Sequence, residues 1–148
     1  MNKISREIKL NKIKKIEINK FNYFFTLYLN EILNKKNTKK NYFSHLLKKK
    51  LKVYLIKENN FIIGFFTLYL NKFAQLSSNN IYLRDFYIRE KYRKEKLGSL
   101  VVERIIKIYS KKKFFNIKIE ILKSNSKVKK FWEKLGFKKK KLIHIKKI

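Results

Sequence analysis

The stretch YLRDFYIREKYRKEKLGSLVVERI, Tyr82–Ile105, carries most of the information about the fold. Its first part is typical of a strand, and we predict one over Ile81–Glu90. From Gly98 to Lys112 the apolar residues instead recur at the spacing of a helix. A strand that leads through a basic loop into a helix predicts a right-handed crossover, so the next strand should lie parallel to the first.

The same patterns assign the rest of the chain, outward from this stretch. Upstream, the predicted elements are a strand near Lys14–Ile18, helices over Phe21–Leu33 and from a Thr38 cap to about Lys49, strands over 51–56 and Phe61–Lys72 with a turn at 58–60, and a polar loop over 75–80. Downstream, they are a strand over Phe115–Leu122, a helix over Asn125–Leu135 that ends at Gly136, and a final strand over Phe137–Ile148. The order β-α-α-β-β-β-α-β-α-β predicts one α/β domain over residues 1–148, with a mixed sheet flanked by helices.

The composition excludes several classes of protein. The 148 residues include no cysteine, so a disulfide scaffold, a thiolate zinc site and a cysteine nucleophile are all excluded. The two histidines, His45 and His144, lie far apart in neighbourhoods that indicate neither a metal site nor a catalytic triad. We therefore expect no metal.

The net charge of +30, from 40 basic and 10 acidic residues, has two interpretations. A field of that size attracts polyanions such as nucleic acid or phosphorylated cofactors. However, only five of the basic residues are arginine, and lysine, isoleucine and asparagine dominate the chain, as drift toward A- and T-rich codons would produce. The charge alone therefore predicts no more than weak, non-specific binding of nucleic acid.

Two features bear on membranes and export. The longest apolar stretch, Phe61–Leu70, is about half the length of a membrane span. The first fifteen residues are basic without the apolar segment of a secretory signal. We expect a soluble, cytoplasmic protein with no membrane partner.

The loop before the helix at Gly98 predicts a phosphate site on physical grounds. The N–H groups that open a helix have no partner within it, and together with the helix dipole they bind anions. Arg93, Lys94 and Lys96 add positive charge around this opening. The alternative is a charged loop before a surface helix.

Two segments resemble motifs of the GNAT superfamily of acyl-CoA-dependent N-acetyltransferases. The stretch 82–105 resembles its motif A, and NSKVKKFWEKLGF, Asn125–Phe137, resembles its motif B. The family's phosphate loop, Arg/Gln-x-x-Gly-x-Gly/Ala, reads here Arg93-Lys94-Glu95-Lys96-Leu97-Gly98, with Lys96 in place of the first glycine. A positive φ at Lys96 would cost about 1–2 kcal/mol.

The resemblance implies acetyl-CoA as co-substrate, in a gap between the fourth and fifth strands. Backbone groups of the fourth strand would pair with the pantetheine arm, and the loop would wrap the pyrophosphate. The cofactor-binding residues that it implies are Phe86, Tyr87, Ile88, Arg93, Lys94, Lys96, Leu97, Gly98, Ser99 and Asn125.

The resemblance also implies two catalytic positions. Asp85 lies where many members carry an acidic residue that deprotonates the amine, with Glu120 as a weaker candidate; the alternative for Asp85 is an ion pair with a basic neighbour. Trp132 occupies the position of a tyrosine that protonates the leaving thiolate. Since an indole N–H only donates, a water, Tyr82 or Tyr87 would have to supply the proton, or the activity is weak.

The expected function is acetyl transfer to a primary amine by direct attack in a ternary complex, by a monomer or a homodimer. The acceptor stays open, with a protein N-terminus or an amine linked to ribosomes or tRNA favoured by the charge. Lys96 and Trp132 support a second hypothesis, a lapsed domain that binds CoA or a partner without turnover. A third is a small basic nucleic-acid-binding protein.

Overall fold

Five strands form one sheet in the order of the chain. The computed structural model describes residues 6–38, 40–71, 79–121, 125–140 and 144–148. Strands β1 (Ile8–Lys12), β2 (Lys52–Glu58), β3 (Phe61–Asn71) and β4 (Asn80–Ile88) are antiparallel neighbours, and β5 (Asn116–Lys118) lies parallel to β4. The predicted mixed sheet and its parallel crossover are confirmed.

Helices cover both faces of the sheet, and each face has its own apolar core. Helices α1 (Ile18–Leu33) and α2 (Tyr42–Lys48) pack on one face, around Phe21, Phe65 and their neighbours. Helices α3 (Leu97–Lys111) and α4 (Ser126–Lys134) pack on the other, where the core includes Val101, Ile105 and Trp132. We call these the α1/α2 face and the α3/α4 face.

A β-bulge in β4 decides which side chains reach each face. Thr67 of β3 pairs with Asp85, but the next residue, Leu68, pairs with Leu83, so Arg84 is the extra residue. The bulge reverses the alternation of side chains along the strand. As a result, Phe86 shares the α3/α4 face with Leu83, while Asp85 faces α1.

The predicted first strand was wrong. Residues 15–17 form a short 3₁₀ turn that leads into α1, and the strand lies earlier, at Ile8–Lys12. Burial explains the difference. Ile8 is 3% exposed, whereas Ile16 is 89% exposed and so contributes little packing to the sheet.

The predicted start of the second helix was also wrong. Asn41, not Thr38, caps α2, because its side chain accepts a hydrogen bond from the N–H of Ser44 at 3.2 Å. An asparagine in this position satisfies one of the free N–H groups of the first turn.

The predicted final strand over Phe137–Ile148 is absent from the described residues 137–140 and 144–148. Phe137 packs against the core beside Trp132, but Ile145 and Ile148 are exposed, so the end of the chain makes no apolar contact there that would hold it against the sheet. Residues 141–143 lie outside the described part of the chain, as do Lys72, Leu122 and most of the predicted loop at 75–80. The single domain over residues 1–148 stays a prediction.

Candidate functional site

Strands β4 and β5 separate soon after they begin to pair. Their parallel ladder consists of three residue pairs, the last of which joins Tyr82 to Lys118. Strand β4 continues for six more residues, to Ile88, still paired with β3 on its other side. Beyond Tyr82, no described residue pairs with the edge of β4 that faces β5. This is the gap that the family resemblance led us to expect.

Backbone geometry shows which groups of β4 face the gap. The N–H of Arg89 donates to the carbonyl of Ile63 on β3 at 2.8 Å. Because neighbouring residues of a strand direct their N–H and C=O groups to opposite edges, those of Tyr87 also face β3. Those of Phe86 and Ile88 face the opening. Of the three residues predicted to pair with a ligand, Phe86 and Ile88 direct backbone groups to the opening, although the carbonyl of Ile88 already accepts a hydrogen bond from Nε of Arg93 at 2.7 Å.

The loop after β4 contains two lysines in left-handed backbone conformation. Lys94 has a φ of 64°, and Lys96 has a φ of 60° with a ψ of 11°. The conformation anticipated for Lys96 is thus present, and each lysine carries strain of about 1–2 kcal/mol. Helix α3 begins directly after Lys96, with no side chain capping its first turn. The N–H groups of Leu97, Gly98 and Ser99 open this helix and are suited to bind an anion.

Gly98 lies at the contact between α4 and the start of α3. A Cβ atom at this position would lie 3.1 Å from two ring carbons of Phe131 and 3.7 Å from Ile88. The glycine therefore lets α4 pack against the start of α3. Sequence reasoning attributed Gly98 to the phosphate loop alone and missed this contact.

Arg93 is held by an acidic residue on α1. Its guanidinium donates to both carboxylate oxygens of Glu31, at 3.0 and 2.8 Å, and its Nε donates to the carbonyl of Ile88 at 2.7 Å. It also lies over the ring of Tyr87, 5.5 Å from the centroid. No sequence pattern predicts this partner, because Glu31 is a single acidic residue on a helix, 62 positions before Arg93.

Asp85 is buried among hydroxyl groups. It is 6% exposed and accepts hydrogen bonds from the hydroxyls of Thr67 and Tyr28. Arg84 lies 4.0 Å away. Burial raises the pKa of Asp85 above its ordinary value, while the hydroxyl of Thr67 and the charge of Arg84 act against that rise. A carboxyl group with a raised pKa is better matched to proton transfer near neutrality. Thr67 and Tyr28 were not anticipated.

Trp132 lies in an aromatic cluster on the other face of the sheet. Its ring centroid is 5.4 Å from that of Phe86, 4.9 Å from Phe131 and 5.1 Å from Phe137. The residue is 6% exposed. The structure therefore does not bring Trp132 and Asp85 together, since the sheet lies between them.

Asn125 caps α4. Its side chain accepts a hydrogen bond from the N–H of Val128 at 3.3 Å. A role in cofactor binding stays a prediction for this residue.

Two clefts lie on the α1/α2 side. One, of about 600 Å³, lies between α1 and the end of β4 and is lined by Leu27, Asn30, Glu31, Tyr87, Arg89, Glu90 and Lys91. The other, of about 360 Å³, lies where β4 and β5 separate and is lined by Lys49, Leu51, Tyr69, Tyr82, Arg84 and Glu120. We call the second one the tyrosine cleft.

The tyrosine cleft contains a stacked pair of rings and a carboxylate. The rings of Tyr69 and Tyr82 stack at 4.8 Å. Tyr82, on β4, and Glu120, which follows β5, line the cleft together, close enough for the carboxylate to act on the Tyr82 hydroxyl. Burial, followed by the effect of this carboxylate, raises the pKa of Tyr82. The cleft thus places a carboxylate next to the gap.

The described part of the structure gives no indication of a metal site or of a membrane-spanning helix. Across the described ranges, no cluster of three or more His, Cys, Asp or Glu side chains could hold a metal ion. Nor does any helix there have the length and apolar character needed to cross a membrane.

Comparison with known proteins gives one family match. The sequence profile of the acetyltransferase (GNAT) family matches residues 15–137. No curated protein matches the sequence.

Solved structures match over almost the whole chain at low sequence identity. A possible acetyltransferase from Clostridium difficile 630 has a TM-score of 0.80 at 14% identity, covering 95% of this chain and 97% of its own. A ribosomal-protein-alanine N-acetyltransferase from Brucella melitensis biovar Abortus 2308 has 0.77 at 9% identity, covering 96% and 100%. An aminoglycoside N-acetyltransferase, in complex with CoA, has 0.73 at 12% identity, covering 99% of each chain. At these identities the likeness shows the fold.

Proposed function

The chain belongs to the GNAT family of acetyltransferases, and we propose on that premise that it transfers an acetyl group from acetyl-CoA to a primary amine. The observation that carries the proposal is the opening between β4 and β5, with the start of α3 at its end. An extended chain fits such a gap, and a phosphate group fits the free N–H groups beside it. Transfer is by direct attack of the amine in a ternary complex.

The residues present fit acetyl-CoA. Backbone groups of Phe86 and Ile88 face the gap, where they would pair with the pantetheine arm. The loop at Lys94–Lys96 and the first turn of α3 would hold the pyrophosphate. The co-substrate supplies a thioester as the acetyl donor. A backbone N–H at the open edge of β4 would stabilise the negative charge that develops on its carbonyl oxygen.

Two carboxylates are candidates for the base that deprotonates the amine. Asp85 has the raised pKa that favours this role, but it is buried, so a water would have to relay the proton. Glu120 is exposed and lines the tyrosine cleft directly. We retain Asp85 as the proposed base, with Trp132 packed beside the cofactor in place of a proton-donating tyrosine.

The net charge of the chain favours some classes of acceptor over others. Solved structures with this fold include a ribosomal-protein-alanine N-acetyltransferase and several aminoglycoside acetyltransferases. A net charge of +30 repels a polycation such as an aminoglycoside. We therefore favour an acceptor that carries negative charge or is bound to nucleic acid.

Thermal unfolding at physiological salt, followed by a turnover assay, tests the proposal. Acetyl-CoA at 100 times its Kd should stabilise the chain by about 2.7 kcal/mol. An RNA oligonucleotide and inorganic pyrophosphate are necessary controls, because any polyanion stabilises so basic a protein. A shift with acetyl-CoA no larger than theirs would contradict cofactor binding. Release of free thiol, dependent on an added amine, would establish transfer.

A lapsed domain that binds CoA without turnover is the second candidate. It is favoured by the strained Lys96 and by Trp132 in its aromatic cluster. Acetyl-CoA would then raise the unfolding temperature above both controls while no amine released thiol. Stabilisation by RNA alone, with steep dependence on salt, would instead indicate a nucleic-acid-binding protein.

A further inference from the structure

The tyrosine cleft has the position of an acceptor pocket. Tyr82 and Arg84 lie on β4 where it leaves β5, and Glu120 lies on the opposite side of the gap. A volume of about 360 Å³ is within the usual range for small-ligand pockets. An amine bound here would lie beside the gap that is proposed to hold the thioester.

The side chains that line the cleft carry charges of both signs. Glu120 supplies one carboxylate, close to the hydroxyl of Tyr82. Arg84 and Lys49 supply two cations, and both are exposed. One carboxylate and two cationic side chains suit a ligand that carries a single ammonium group with a negatively charged group close to it. A polycation would meet a net positive charge in the cleft and on the chain as a whole.

The remaining walls are apolar or aromatic. Tyr69 and Tyr82 present their stacked pair of rings, and Leu51 is buried at the base with 4% exposure. Such walls bind the carbon skeleton of a small molecule, while the charged groups fix its orientation.

We propose that the tyrosine cleft binds the acceptor and selects a primary amine that carries a carboxylate or phosphate group on the same small molecule. Glu120 receives the ammonium group, and Arg84, with Lys49, receives the anion. This rests on the proposed acetyl transfer, and it adds the chemical class of the acceptor to it.

The test compares matched amines with and without the anionic group. Tyrosine is paired with tyramine, and phosphoethanolamine with ethanolamine; spermidine represents polycations. The kcat/KM for thiol release should be higher for the anionic member of each pair, by up to about fivefold, because Arg84 and Lys49 are exposed and water screens their charges. The two pairs also show whether a carboxylate or a phosphate is preferred.

Variants assign the preference to the cleft. Arg84→Gln should remove most of the preference within each pair, while Lys107→Gln on α3, which removes the same charge from the other face, should leave it unchanged. Arg84 also acts on the pKa of Asp85, so the ratio within a pair is the proper measure, because an effect on the base cancels. Glu120→Gln should reduce kcat/KM for every amine.

Three outcomes would overturn the inference: preference for spermidine, equal rates within each pair, or a preference that persists in Arg84→Gln. If no amine releases thiol although acetyl-CoA stabilises the chain, it is the proposed transfer that fails. The cleft is then tested by thermal unfolding with CoA present, where tyrosine should stabilise the wild type more than tyramine does. No difference there would also overturn the inference.

Discussion

A single nitrogen of Arg93, Nη2, donates to both carboxylate oxygens of Glu31, at 3.0 and 2.8 Å. This ion pair joins the phosphate loop to α1, beside the larger cleft, which Glu31 lines. The arginine is therefore already neutralised and positioned before any phosphate arrives. A phosphate group that uses Arg93 has to share it with Glu31 or displace it.

Replacing Glu31 should strengthen acetyl-CoA binding. In Glu31→Gln the guanidinium is free to pair with phosphate. Because exposed ion pairs contribute about 0.2–1 kcal/mol, Kd should fall by up to about fivefold. Isothermal titration at physiological salt would measure this. Glu103→Gln, an exposed position on α3, is the control for the change in net charge. An equal effect in both variants would assign the change to net charge, and weaker binding in Glu31→Gln would show that the pair serves to position the loop.

Replacing Lys96 by glycine should stabilise the fold. Glycine adopts a φ of 60° without strain, which removes about 1–2 kcal/mol, while its greater freedom in the unfolded chain costs about 0.5–1 kcal/mol. A net gain of about 0.5–1 kcal/mol should appear in urea unfolding. Lys107→Gly, within α3, should instead lose about 1 kcal/mol. Destabilisation in both would mean that the side chain of Lys96 makes a contact that offsets its strain.

Adding a methyl group at Gly98 should displace α4. A Cβ atom 3.1 Å from the ring of Phe131 overpacks the contact, so Gly98→Ala should cost about 1–3 kcal/mol. Combining it with Phe131→Leu should recover part of the loss, because the smaller side chain leaves room. The free energies of unfolding of both single variants and the double variant measure this coupling. If the free-energy changes of the two single variants simply added up in the double variant, the contact between Gly98 and Phe131 would be contradicted.

Removing the hydroxyl of Thr67 should shift the pH dependence of activity. That hydroxyl lowers the pKa of Asp85, so Thr67→Val raises it further. A base acts when deprotonated, and the rate therefore rises with pH through its pKa. The rising limb of kcat/KM should move to higher pH in Thr67→Val and return in Thr67→Ser. If the rising limb of the pH profile stayed at the same pH in Thr67→Val, Asp85 would be excluded as the base. Glu120 would then be the remaining candidate, and the activity of Glu120→Gln would test it.

The sequence predicted the elements whose pattern and burial agree. The stripe of aromatic residues in α1 and the alternation in β2 correspond to buried faces, so their periodicity was informative. Lysine at every second or third position also produces apparent alternation where nothing is buried. This explains the strand wrongly predicted at Lys14–Ile18 and the one predicted at the end of the chain.

Much of the site depended on relations that no local pattern contains. The left-handed φ of Lys94 could not be predicted from the sequence, because lysine rarely adopts that conformation. The pairing of Glu31 with Arg93 and the hydroxyls around Asp85 join elements far apart in sequence. The spacing of the motifs was enough to predict the positions of the loop and the strand. The residues that contact them could be identified only from the three-dimensional structure.

The open edge of β4 is also a surface on which a second chain could add a strand, which is the usual origin of aggregation in β proteins. Thirty excess positive charges oppose the approach of two copies at pH 7. That repulsion reaches only about 8 Å at 0.15 M salt and about 3 Å at 1 M. The lysines that codon drift would leave without a role would thereby oppose strand pairing between copies at this edge, and concentrated salt should weaken that repulsion.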